Sequence, residues 1–256
     1  MSTQAGPAGG DEAVWTDVEC GSYTADLPLW RELVASVSRD SGCDLLELGC
    51  GTGRVSLALA GPACRVTAID VEPALVGELQ QRAAARGAQV EAVVADARSF
   101  ELERRFDIAL APMQLMQLLH TEPERIAALE RLARHLRPGA IAALALLDLD
   151  EEWEADPSQG PVPDMLERGH WVYSSHPVAV RRVRGGSLLE LDRVRRSVSP
   201  QGKLSETFSR VRLALVTPER LEREARAAGL VAQPRMRVPA TDDHSASAVV
   251  VLRNDG

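Results

Sequence analysis

The chain concentrates its chemical potential in one run, Glu47-Leu48-Gly49-Cys50-Gly51-Thr52-Gly53, an acid followed by three glycines at alternate positions. Glycine lets a backbone bend tightly and lets a ligand approach it. Leu45, Leu46 and Leu48 lead into the run as a buried strand would. Val55, Leu57, Ala58 and Leu59 leave it in a helical pattern, and a helix starting there aims its free N–H groups back at the turn. The glycine spacing selects the ligand. A pyrophosphate-binding dinucleotide turn needs G-x-G-x-x-G, and here Arg54 stands where the last glycine belongs. The same run also serves as an ordinary strand-to-helix turn.

A second acid lies where the first one would need help. Arg65 to Asp70 reads as the next strand, and Asp70 closes it. A carboxylate at that end of a βαβ unit accepts from both hydroxyls of a ribose. Asp70-Val71-Glu72-Pro73 equally suits the start of a helix.

With these residues the chain resembles the class I S-adenosylmethionine-dependent methyltransferases of the small-molecule type, whose first motif has the acidic-x-G-x-G-x-G form. The resemblance runs from about Tyr23 to Leu252. It implies a turn that cradles an amino acid and a ribose. It implies that Asp96, just past the third strand, takes the adenine amino group and that the Ala97 N–H takes a ring nitrogen. An aromatic precedes the helix that lies over the cofactor, and Tyr23 matches it, as a phenol reaching the methionine end or as a packing residue. Leu136-Arg137-Pro138-Gly139 matches the family's Leu-x-Pro-Gly turn. The cofactor contacts expected are Tyr23, Glu47, Gly49, Cys50, Gly51, Gly53, Asp70, Val71, Asp96, Ala97, Ala111 and Met113.

After the fourth strand, methyltransferase subclasses diverge. Some carry Asn-Pro-Pro-Tyr, some a Pro-Cys nucleophile, some an Asp for magnesium. Ala111-Pro112-Met113-Gln114 fits none of these, so covalent and metal-assisted routes lose support and no metal ligand is assigned. Met113, Met116 and Gln114 make a soft wall near the sulfonium, or pack the core. His120, His170 and His176 are candidate bases, since imidazole titrates near neutral pH. A relative of the same fold that binds the cofactor without methyl transfer (a cyclase or isomerase), or a non-catalytic nucleotide-binding module, stands as the alternative.

Composition bounds the partners. The 256 residues are 45% hydrophobic with a net charge of −8. That balance disfavours nucleic acid and anionic membranes and leaves a small-molecule acceptor. No apolar run approaches the roughly 18 residues that span a bilayer, and no leader pattern is present, so a cytoplasmic monomer or homodimer is expected. Cys20, Cys43, Cys50 and Cys64 lack C-x-x-C spacing and read as reduced thiols.

The elements must hold the two acids and the turn together. Strands at Asp44–Leu48, Arg65–Asp70, Val90–Ala95, Phe106–Ala111 and Ala140–Leu147 alternate with helices at 54–60, 73–86 and 122–136. A further helix from Pro218 precedes strands at Val231–Val238 and Ala246–Leu252. This is an α/β, Rossmann-like, doubly wound and mostly parallel seven-stranded sheet with one antiparallel edge strand. After the fifth strand comes an inserted antiparallel excursion with runs at 171–184, 188–198 and 204–216. The expected organisation is a disordered tail over 1–14 and one methyltransferase domain over 15–256. A lid segment fills 15–40 and the inserted lid 150–216. Trp15, Tyr23, Trp30, Trp153, Trp171 and Tyr173 lie in those two segments and suggest an aromatic lid.

Overall fold

The computed structural model describes residues 12–38, 42–148, 162–242 and 244–256. Two helices, α1 (Glu12–Cys20) and α2 (Leu27–Val37), precede β1 (Cys43–Leu48). The alternating core follows as α3 (Ser56–Leu59), β2 (Cys64–Asp70), α4 (Pro73–Arg86), β3 (Val90–Val94), β4 (Phe106–Ala111), α5 (Leu115–Leu118), α6 (Glu122–His135) and β5 (Leu136–Leu147). Then come β6 (Asp164–Arg168), β7 (Trp171–Val183), β8 (Leu188–Val198) and β9 (Leu204–Ala214). The chain closes with α7 (Pro218–Ala227), β10 (Leu230–Ala232), β11 (Met236–Val238) and β12 (Ser247–Asn254).

The main sheet runs β10-β12-β5-β4-β1-β2-β3, with β11 also paired to β12. β1 to β5 are mutually parallel, and β12 is antiparallel to β5. The expected doubly wound sheet with a reversed strand at that side is present. The strand expected over 231–238 divides into β10 and β11 with Pro234 between them, since proline cannot donate to a ladder. β1 is buried along its whole length because both of its faces are covered, which its continuous apolar sequence requires. On one face α5, α6 and α7 bury Met116, Leu129, Leu132 and Leu221; on the other, α2, α3 and α4 bury Trp30, Leu33, Leu59, Val76 and Leu79. Each such side chain contributes about 1.5–3 kcal/mol by leaving water. A buried pair joins α6 to α7: the Arg125 guanidinium donates to both carboxylate oxygens of Glu224, at 2.6 and 2.7 Å.

Local capping accounts for most boundaries. Gly87 ends α4 at φ 61°, a left-handed position that glycine takes without a Cβ penalty. The Glu124 carboxylate accepts from the Thr121 amide at 2.9 Å and from its hydroxyl at 2.8 Å, fixing the start of α6. Two boundaries differ from the sequence expectation, and one N-cap goes unused. α3 has shrunk to one turn, because Gly53 and Arg54 belong to the glycine turn. Residues 137–139 lie within β5. Asp26, a natural N-cap for α2, makes no capping bond, since its carboxylate is taken by Arg54 and Trp30.

The excursion is a second, antiparallel sheet of order β6-β7-β8-β9, with one strand more than the three runs expected. The stretch expected as a tail is helical from Glu12 onward, and residues 1–11 of it lie outside the described residues. So do residues 149–161, with Trp153. α1 packs against the second sheet through Val14, Trp15 and Val18 on Tyr173, with Leu166 and Trp171 beside them. The Trp15 and Tyr173 rings meet edge-on at 5.6 Å. Trp15 and Tyr173 therefore fasten α1 to β7.

At the opposite end of the main sheet, away from the glycine turn, Asp44 takes three arginines: Arg65 at 2.9 Å, Arg104 at 2.6 Å and Arg137 at 2.9 Å. Burial acts to raise its carboxyl, and the guanidiniums outweigh burial and hold it below the ordinary value of 3.8. A depressed carboxylate contributes stability that is fully present above its unfolded pKa and is lost as pH falls through the folded one. Asp44→Asn should cost about 1–3 kcal/mol in denaturant unfolding at pH 7. The two unfolding curves should converge at pH 2–3; a gap that persists there would refute the ionic account.

Candidate functional site

β1 and β4 are neighbours whose following connections leave to opposite sides, so a crevice opens at their carboxyl ends. A cleft with a cavity volume of about 100 Å³ sits there. Its walls are Glu47, Gly49, Cys50, Gly51, Thr52, Arg54 and Val55 from the glycine turn, Pro112 and Met113 after β4, and Thr16, Cys20 and Gly21 at the end of α1. Gly49, Gly51 and Gly53 have φ of 67°, 55° and 94°, conformations that side chains rarely tolerate. A Cβ on Gly49 would stand 2.9 Å from Leu115, one on Gly51 3.3 Å from Thr16, and one on Gly53 2.2 Å from Leu79. The first two keep the floor of the cleft clear; the third lets the turn settle onto α4.

Glu47 is 2% exposed and accepts from the Ser56 hydroxyl. Burial pushes its carboxyl up to about 8. A buried acid on the wall of a cleft, bonded to a neutral hydroxyl, suits a cationic group that would restore its charge. Cys20 and Cys50 are held as thiols, the first pushed up to about 11 by burial and by Glu19. They act as soft apolar wall. Met113 has φ 57°, a left-handed conformation for a residue with a side chain, at the end of β4 facing the turn.

The other expected contacts, Gly53, Asp70, Val71, Asp96, Ala97, Ala111 and Tyr23, are not among the residues that line this cleft. The Asp70 carboxylate accepts from the Gly51 amide at 2.9 Å and from the Glu72 amide at 3.0 Å, so it braces the turn while joining it to α4. Val71 beside it is 67% exposed. Asp96 accepts from the Arg98 amide at 2.8 Å and is held below the ordinary carboxylate value by the Arg98 guanidinium. Ala97 packs against the core, and Ala111 is fully buried one residue before the wall at Pro112. Tyr23 is not in the wall. Its ring lies against His244 at 4.7 Å and under the Arg54 guanidinium at 5.1 Å.

None of the three candidate histidines lines the cleft. His120 Nε2 pairs with the Arg212 carbonyl at 2.9 Å. His170 occupies the tight turn between β6 and β7 at φ 66°. His176 lies on β7 with its Nδ1 buried and without a hydrogen-bond partner among the described residues. Sequence reasoning missed Thr16, Cys20, Thr52 and Arg54. The spacing of Val14, Trp15 and Val18 was a helical signal for α1, but nothing local says where that helix docks. Arg54 carried no signal beyond following Gly53.

A methyltransferase domain family matches residues 45–139, the segment from β1 into β5. The O-methyltransferase resE of Aspergillus sclerotiorum is 30% identical over 187 residues, covering 69% of this chain and 67% of that protein. This chain belongs to the S-adenosylmethionine-dependent methyltransferases. A cypemycin N-terminal methyltransferase of Streptomyces is 38% identical over 119 residues, 45% of this chain and 48% of that protein. The chain spans about half the length of several curated relatives it matches. The fold of this methyltransferase is shared with the CcbJ methyltransferase from Streptomyces caelestis, at TM-score 0.68 and 22% identity over 96% of this chain and 92% of that one. It is also shared with CalS10 from Micromonospora echinaspora, at TM-score 0.69 and 20% identity over 97% and 98% of the two chains. S-adenosylmethionine is its cofactor, and the residues present fit it: a turn whose Gly49 and Gly51 bring bare backbone to the cleft and a buried acid on the same wall.

Proposed function

We propose that this methyltransferase moves a methyl group from S-adenosylmethionine to a nitrogen, oxygen or carbon of a small metabolite by in-line displacement, without a metal. The observation that carries the reading is the cleft in which Glu47, the three-glycine turn and Met113 face one another. When bound, the sulfonium supplies a methyl group that is already activated, so the chain has to align groups and exclude water. Glu47 accepts from the methionine ammonium. Gly49 and Gly51 allow the close backbone approach. Asp70, oriented by the two amides, keeps lone pairs for the ribose hydroxyls. Asp96 and the Ala97 N–H serve the adenine edge, with Arg98 holding the carboxylate ionised. Pro112 and Met113 wall the methyl end. The names of the two relatives, one an N-terminal and one an O-methyltransferase, support a heteroatom acceptor. The net charge of −8 supports a small acceptor over nucleic acid.

Calorimetric titration tests the reading. S-adenosylmethionine and S-adenosylhomocysteine should bind at micromolar concentration and NAD should not. Asp70→Ala should lose about 1–3 kcal/mol of affinity, the scale of hydrogen bonds to a charged group. An unchanged affinity would remove Asp70 from the ribose. Acceptor screens should then accumulate S-adenosylhomocysteine; tight binding with no turnover on any acceptor would favour the non-transferring alternative.

A further inference from the structure

The end of α1 does two things at once. Thr16 and Cys20, one turn apart, face the cleft, and Thr16 approaches Gly51 so closely that a Cβ there would stand 3.3 Å from it. Asp17, between them in sequence, faces away and is gripped by three other elements. Its side chain is 14% exposed. Oδ1 accepts from the Thr52 hydroxyl at 2.7 Å and from Arg82 Nη1 of α4 at 2.9 Å. Oδ2 accepts from Arg82 Nη2 and from Arg168 Nη1 of β6 at 3.4 Å. Arg82 is oriented in turn by Glu78, whose Oε1 accepts from Arg82 Nε at 2.8 Å and from Arg168 at 2.9 Å. Thr52 lies in the glycine turn, so this one carboxylate ties α1 to the turn, to the helix after β2 and to the second sheet. Charge-assisted and two-pronged bonds of this kind are the strong ones. Among the described residues they are also the only feature of α1 that grips the turn by charge, since the other acids on that helix, Glu12 and Glu19, reach Arg195 and Ser175 of the second sheet.

We propose that Asp17 is a positioning residue for the cofactor: by clamping Thr52 and Arg82 it holds α1 over the glycine turn, and ligand release requires that clamp to open. The proposal rests on the reading of the cleft as the cofactor site. A ligand seated on Gly49 and Gly51 lies beneath Thr16 and Cys20, so α1 has to lift for it to leave. Lifting α1 separates Asp17 from Thr52 and Arg82 first, because those partners belong to the floor and not to the helix.

The test is stopped-flow displacement of S-adenosylhomocysteine from the full chain. Asp17→Asn keeps the shape and removes the charge; its dissociation rate should rise at least tenfold. The dissociation rate of the unaltered protein should also rise between 0.1 and 1 M NaCl, where screening reaches contact distances, while that of Asp17→Asn stays flat. Arg82→Met should raise the rate comparably, and the double variant no further than either single one. A loss of general stability would lower the melting temperature without this salt signature or this non-additivity. A folded Asp17→Asn with an unaltered dissociation rate overturns the proposal, and so do additive effects at the two positions. If Asp17→Asn does not fold, a salt-insensitive dissociation rate in the unaltered protein overturns it. If the unaltered protein binds neither cofactor form, the functional reading fails by itself. The clamp is then judged by amide hydrogen exchange over residues 13–20, which should quicken in Asp17→Asn or Arg82→Met and, if unchanged in both, removes it.

Discussion

Arg54→Met should abolish measurable cofactor binding and cost about 3–5 kcal/mol of stability, the penalty of stranding a buried charge. Arg54 donates to the two oxygens of Asp26 at 2.6 and 2.8 Å and to the Tyr23 carbonyl at 2.9 Å. Asp26 is 2% exposed and, without Arg54, its carboxylate keeps among the described residues only the Trp30 indole N–H at 2.8 Å. Methionine fills the volume of the arginine stem, so the loss is electrostatic and not a cavity. The same guanidinium covers the Tyr23 ring and lines the cleft, so the α1–α2 connection and the cofactor turn lose their common support. Denaturant unfolding and calorimetry measure the two effects. Adding Asp26→Asn should restore most of the stability and none of the binding. A stability loss under about 1 kcal/mol in the single variant would mean that Asp26 finds water or another donor.

Glu47→Gln should move stability and binding in opposite directions. The folded carboxyl sits at about 8, raised by burial from an ordinary 4.5. The folded state therefore favours the protonated form, and its stability relative to the unfolded chain falls as pH rises from the unfolded value toward about 8. Glutamine has no proton to lose. Without ligand, Glu47→Gln should melt at the same temperature as the unaltered protein at pH 5 and several degrees higher at pH 8. At roughly 2–4 °C per kcal/mol for a chain of this size, the difference is easily resolved. Cofactor affinity in the unaltered protein should increase with pH until Glu47 is ionised. In the variant it should be about ten- to hundredfold weaker and free of that pH dependence. A variant that melts no higher at pH 8 would show that Glu47 is already solvated or paired.

These two residues had unequal visibility. Glu47 and the glycines were legible because their chemistry is local: an acid and three glycines at fixed spacing prescribe a strand end, positive φ and an open floor whatever surrounds them. The same holds for α4, whose proline start and glycine stop mark its ends, and for Asp70, which terminates a strand. The parallel sheet followed from apolar runs alternating with helical periodicity, since burial on both faces leaves a mark on every residue of a strand.

What the sequence by itself determined was thus the backbone of the turn, the mostly parallel, doubly wound character of the sheet and, through the resemblance they carry, the cofactor. Only the tertiary structure decided that the end of α1 walls the cleft, that Asp26 partners Arg54 in place of capping its own helix, and that Trp15 and Tyr173 pin α1 to the second sheet. It also decided that His120, His170 and His176 stay outside the wall. The physical reason is range. Turns, caps and periodic burial are interactions between near neighbours and are written in spacing. An ion pair or a ring contact joins residues far apart in the chain, each of which looks locally like any exposed charge or any apolar side chain until packing brings its partner within reach.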